Sequence, residues 1–126
     1  MKKLIIAVFF LIGISAFSQT GRVGINTETP QTTLDISGKK DTNGDLLPTD
    51  MTGLQAPRLT RAELTAKGNA LYGTDQKGAL IYVTDVSAGN VLSQRINITT
   101  VGYYYFDGTL WQKMSGGSVY TASNGL

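Results

Sequence analysis

Apolar and polar positions along this chain alternate with a period of two in short runs, and only one stretch carries the signals of a helix. Val23 and Ile25 flank Gly24, and Leu34 and Ile36 flank Asp35. Residues 19–38 therefore read as two strand-like stretches separated by a turn-forming break from Asn26 to Pro30. Ala79 to Thr84, a β-branched and aromatic run between Gly78 and Asp85, has the composition of a mostly buried strand. Ile96 and Ile98 alternate as a further brief strand would, after a polar loop at Gly89-Asn90. Tyr103 to Met114, YYYFDGTLWQKM, predicts two strands around Asp107-Gly108, a dipeptide that tolerates the positive φ angles of a type I′ turn. A two-residue loop there would set Phe106 opposite Thr109 and Tyr104 opposite Trp111 on one face, with Tyr105 opposite Leu110 on the other.

The helical signal lies between these strands. Thr60 followed by Glu63 forms a capping box, and Leu59 and Leu64 sit where a hydrophobic staple places its two apolar residues. A short helix from Arg61 to about Ala66 follows, ended by Gly68. Residues 39–57 show no sustained period and are punctuated by Gly44, Pro48, Gly53 and Pro57. The expected fold is mainly β with one short α-helix. A β segment over 19–38 precedes a loop or linker over 39–57, a small β-rich domain over 58–114, and a flexible tail over 115–126.

Residues 1–18 stand apart from this pattern and carry the tripartite mark of a secretory signal peptide. Lys2 and Lys3 give the positive start, Leu4 to Ile14 is apolar apart from Gly13, and Ala16-Phe17-Ser18 supplies the small residues before a cut expected between Ser18 and Gln19. The apolar run is short for a hydrocarbon core of about 30 Å, so no membrane span is expected after cleavage. Secretion or cell-surface display is the expected location. Loss of Lys2 and Lys3 leaves nine basic residues against nine acidic, a neutral chain that gives no reason to expect nucleic acid or an anionic membrane as partner.

Cysteine and histidine are both absent. Disulfides, the usual zinc sites, Ser-His-Asp triads and Cys-His dyads are thereby excluded within the chain. No catalytic residue, metal site or cofactor is expected, and the chain reads as a non-enzyme. Asp41, Asn43 and Asp45 open like a calcium loop, but Gly44 sits at the fourth position instead of the sixth and Thr52 stands where a bidentate Glu belongs, which favours a solvated polar turn. Tyr103, Tyr105 and Trp111 could stack on the apolar face of a sugar ring while Asp107 or Gln112 binds its hydroxyls. Half of a hairpin's side chains point inward, so Trp111 and Tyr104 are expected in the core instead. Asn97-Ile98-Thr99 matches a glycosylation sequon, and Arg58 and Arg61 read as solvated charge around the helix start.

The series VGINTETPQTTLDISG, APRLTRAELTAKG, GALIYVTD and GYYYFDGTLWQKM resembles a recurrent one in exported proteins of the Bacteroidota. The segment VGINTETPQTTLDI is also similar to a short Gly-Ile-x-Thr-x-x-Pro motif of phage tail-fibre and surface-fibre proteins, where it forms part of intertwined trimeric β-structure. The resemblance implies a fibre-like β segment at 19–38 and a homotrimer held partly by residues 22–37. It brings no catalytic residue. The expected function is an exported, non-enzymatic surface or secreted structural protein, a fibre head or adhesin module. The alternative is a carbohydrate-binding module whose surface-glycan or envelope ligand lies on the Tyr103 to Trp111 hairpin.

Overall fold

The computed structural model describes residues 21–116, so the signal peptide read at 1–18 and the tail from residue 117 onward lie outside the described residues. Within them the chain is mainly β, with one short helix and two 3-10 turns. It divides after Gly53 into two compact units, at a point inside the stretch 39–57 read as loop.

The first unit holds β1 (Val23–Ile25) and β2 (Leu34–Ile36), which pair in parallel with Val23 beside Leu34 and Ile25 beside Ile36. A parallel pair ordinarily needs a crossover of a dozen residues or more, and this one is joined by residues 26–33 alone. The short return is made possible by Asn26, which takes a left-handed backbone (φ 55°) and ties its side-chain amide to the Ser37 carbonyl at 3.1 Å. Beyond β2, residues 39–53 form turns closed by carboxylates. Asp41 accepts from the amides of Asn43 and Asp45, and Asp50 accepts from the Lys39 amide and the Thr52 hydroxyl. The Lys39 amide and Thr52 hydroxyl hold the Asp50 carboxyl below the usual carboxylate range.

The second unit is a four-stranded sheet in the order β3 (Arg58–Leu59), β4 (Leu80–Val83), β5 (Gly102–Phe106), β6 (Trp111–Lys113). β3 runs parallel to β4 and the other neighbours are antiparallel. Between β3 and β4 lies α1 (Arg61–Ala66). Its capping box forms as the sequence indicates: Thr60 Oγ1 accepts from the Glu63 amide at 3.1 Å, and Glu63 Oε2 accepts from the Thr60 amide at 2.7 Å. Gly68, at φ 74°, closes the other end by donating to the Thr65 carbonyl.

Strand alternation then sorts the side chains. Ile81, Val83, Tyr104, Phe106 and Trp111 face inward and pack with Leu64 of α1 and Ile98, each nearly or wholly out of solvent. Tyr72 meets Trp111 edge-on at 4.9 Å, and the buried Tyr104 hydroxyl donates to the Thr100 carbonyl at 2.7 Å. Ile98 reaches this core without being in a strand. The brief strand expected at Ile96 and Ile98 does not form: a 3-10 turn at Ser93–Arg95 ends at Ile96, which is exposed, and the chain continues as a turn into Ile98.

The hairpin differs from expectation in its loop. Phe106 stands opposite Trp111, Tyr105 opposite Gln112 and Tyr104 opposite Lys113, so the loop has four residues, 107–110, and not two. The cause is the Asp107 carboxylate. One of its oxygens accepts from the amides of Thr109 at 2.8 Å and Leu110 at 2.7 Å, while the Asp107 amide donates to the Leu110 carbonyl. The register moves by two, which preserves the face of every side chain. Tyr104 and Trp111 are core residues, as the inward-facing alternative required, although they do not oppose each other directly.

Candidate functional site

In a parallel ladder, paired residues project to the same side. Val23, Ile25, Leu34 and Ile36 therefore form one apolar face of the β1–β2 pair, and Gly24 and Asp35 form the other. The connecting loop folds back over the Gly24 and Asp35 side. Its Thr27 carbonyl oxygen would lie 2.4 Å from a Cβ at Gly24, so glycine is what lets the loop approach. The Asp35 carboxylate accepts from the Gln31 amide at 2.8 Å, and the Thr32 hydroxyl donates to the Leu34 carbonyl at 2.7 Å. Arg22 reaches across to the Pro30 carbonyl.

The Gly24 and Asp35 side thus carries the approach of the loop and the Asp35 carboxylate contact. The apolar side is left open: Val23 is 57 %, Ile25 46 % and Leu34 52 % exposed. Four hydrophobic side chains in register on a polar, turn-rich segment form a surface suited to another apolar surface and to no chemical reaction.

The sequence-marked hairpin residues are split by the sheet. Tyr103 and Tyr105 stand together on the outer face of the second unit, 39 % and 41 % exposed, while Trp111 is buried on the inner face and offers no ring face to solvent. Asp107 and Gln112 are committed to the fold. Asp107 binds two loop amides with one oxygen and the Gln112 side chain at 2.8 Å with the other, and Gln112 in turn accepts from the Asn97 side chain. The Leu110 amide, the Gln112 amide group and the Thr109 amide keep the Asp107 carboxyl well ionised, below its ordinary range. Asn97, the sequon residue, also donates to the Trp111 carbonyl and so serves as a brace behind β6.

Two arginines act differently from their sequence reading. Arg61, expected as solvated charge, donates to the carbonyls of Val86, Ala88 and Ile98 and holds the loop after β4 against α1. The loop can sit this close because residue 89 is glycine: a Cβ there would come 2.7 Å from the Arg61 backbone. Arg95, which no sequence signal singled out, is 4 % exposed and donates to the Asn90 and Asn69 side-chain oxygens and the Gly68 carbonyl. An arginine in a polar loop gives no sign of burial until the loop's carbonyls are seen to converge. Among the described residues no group of three or more acids gathers at a metal-holding spacing, and the Asp41 carboxylate faces the loop's own amides.

Comparison with known proteins then bears on the open apolar face. Residues 24–125 match the model of a family described as a phage tail like trimerisation region, a span that takes in both units. No curated protein and no solved structure matches the chain.

Proposed function

This chain belongs to the family of phage tail like trimerisation regions, and on that premise we propose that it is an exported, non-enzymatic structural protein that assembles as a homotrimer. The observation that carries the reading is the apolar face of Val23, Ile25, Leu34 and Ile36, paired in register, on which Val23, Ile25 and Leu34 are about half exposed and Ile36 is partly buried. Three copies meeting on this face bury what one copy leaves in water, and hydrophobic burial is the dominant drive for association. The signal-like residues 1–18 support secretion or surface display, in which the chain is a fibre head or adhesin module. Among the described residues no helix is long and apolar enough to cross a membrane.

Analytical ultracentrifugation of the purified protein, paired with amide exchange over residues 22–37, tests the assembly. A trimer at micromolar concentration with slow exchange at the Val23 and Ser37 amides is expected. A monomer in which those amides exchange freely would refute it. Intact mass of secreted or envelope material tests export, with a chain starting at Gln19 as the expected product and one retaining Met1 as the contrary result.

A further inference from the structure

The outer face of the four-stranded sheet breaks the alternation that its inner face obeys. A largely antiparallel sheet with one side in water ordinarily turns polar residues outward. Here the outward positions of β4 and β5 are Leu80, Tyr82, Tyr103 and Tyr105, and the strand register sets Tyr82 beside Tyr103 and Leu80 beside Tyr105. Met114, whose amide donates to the Tyr103 carbonyl at 2.9 Å, extends the face beyond the end of β6. Leu80, Tyr103, Tyr105 and Met114 are all exposed. Tyr82 meets Tyr103 edge-on with ring centroids 4.8 Å apart, which orders the rings within a single chain. Arg58 lies beside Tyr82 at one margin and Gln112 beside Tyr105 at the other, so polar groups rim an aromatic centre.

The size of the β1–β2 face says what this second face is for. Full burial takes roughly 60–120 Å² of apolar surface from water for a Val, Leu or Ile side chain. Covering the open half of Val23, Ile25 and Leu34 and the smaller open part of Ile36 therefore removes only ~150 Å² per copy. A stable interface takes about 800 Å² from each partner, of which a little over half is apolar. The β1–β2 face alone falls well short of that share, and a trimer needs further apolar surface from the same chain. The exposed parts of Tyr103, Tyr105, Leu80 and Met114 supply roughly 250 Å² more, which brings the total close to it.

We propose that the tyrosine face is a second contact of the homotrimer, covered by the next copy of this chain. This contact rests on the trimer reading and adds a surface to it on the other unit. The occupant is a copy because the span matched by the trimerisation family, residues 24–125, takes in the whole sheet and not the β1–β2 segment alone. The composition agrees, since interfaces gather tyrosine, methionine and arginine at the expense of lysine and glutamate. Arg58, bound to the neutral Gln55 side chain, keeps its charge at the rim, where water still reaches it. The sheet has no comparable surface elsewhere among the described residues. Its inner face is spent on the core, and the β6 edge is partly closed by the Asn97 side chain on the Trp111 carbonyl.

Sedimentation equilibrium of the wild type, Tyr105→Ala, Tyr105→Phe and Leu71→Ala tests the proposal, together with hydroxyl-radical footprinting of the wild type above and below its association midpoint. Tyr105→Ala should raise the half-association concentration on the order of tenfold or more, while far-ultraviolet circular dichroism of the dilute chain shows the sheet intact. Tyr105→Phe, which keeps the ring, and Leu71→Ala, which lies off the sheet, should associate like the wild type. Tyr103 and Tyr105 should lose reactivity toward the radical as the trimer forms. Footprinting needs no variant, so it decides the matter even where Tyr105→Ala loses the sheet. A trimer whose two rings stay as reactive as in the dissociated chain, or a folded Tyr105→Ala that associates like the wild type, would overturn the second contact and leave the β1–β2 trimer standing. A wild type that stays monomeric throughout would overturn both.

Discussion

Truncating Leu34 to alanine should weaken the trimer by an amount that follows from its exposure. Fully burying a leucine is worth about 1.5–3 kcal/mol, so covering the 52 % of Leu34 that one chain leaves open contributes ~1 kcal/mol per copy and ~3 kcal/mol per trimer. At ~1.4 kcal/mol per factor of ten, Leu34→Ala raises the trimer dissociation constant about a hundredfold. That constant carries the cube of the monomer concentration against the first power of trimer, so the half-association concentration rises by roughly its square root, about tenfold. Sedimentation equilibrium across a concentration series reads this directly. Leu71→Ala serves as the control, a leucine of similar exposure (58 %) on the other unit. An unmoved midpoint in Leu34→Ala, or an equal shift in both variants, would refute the assignment of the interface to the β1–β2 face.

Other outcomes follow from single contacts. Gly24→Ala should push the Thr27 carbonyl away and open the β1–β2 return, seen as faster exchange of the Val23 and Ser37 amides and loss of trimer, while the unfolding midpoint of the tyrosine-rich unit stays in place. Trp111→Ala removes the ring that Tyr72 and Phe106 pack against and should cost about 3–5 kcal/mol, enough to unfold a unit of this size, as near-ultraviolet circular dichroism would report. Thr60→Ala should cost about 1 kcal/mol through loss of the N-cap, read as a lower urea midpoint. Glu63 and Asp107 have lowered folded-state pKa values, caused first by the Thr60 and Leu110 amides respectively. Their stabilisation is present above the ordinary carboxylate range and fades as pH falls through it toward the lower folded values. The urea midpoint should therefore drop on acidification below about pH 4.5, less steeply in Glu63→Gln, and an identical profile in that variant would count against the cap's role.

What could be read from the residues alone was what depends on neighbours in sequence. The helix at Arg61–Ala66 was legible to its ends because the capping box, the staple and Gly68 are all local. β4 was legible because a β-branched run between turn residues has few other uses. The hairpin strands were legible, but the loop was not: Asp-Gly favours a two-residue turn, and only the side-chain bonds of Asp107 to Thr109 and Leu110 make four residues the better solution. The β1 and β2 stretches were visible as strands, whereas their parallel pairing rests on the Asn26 backbone and the Gly24 contact, neither of which a period of two reveals. Arg61 and Arg95 were misjudged or missed for a related reason. Their partners are backbone carbonyls 25 or more residues away and amide side chains, and no alternation marks a carbonyl that awaits a donor.

The parallel pairing of β1 and β2 also restricts the symmetry that copies of this chain can adopt through their strand edges. Within the described residues this sheet has two strands only, so its two outer edges are unlike, one belonging to β1 and the other to β2. A two-fold axis joins like to like, β1 to β1 or β2 to β2, and leaves the other pair of edges open to further addition. Joining β1 of one copy to β2 of the next keeps every strand pointing the same way and repeats by rotation. Such a head-to-tail contact either closes into a ring, which removes all free edges, or continues as a filament. Closure at three copies would thus be a stopping rule as well as a source of stability.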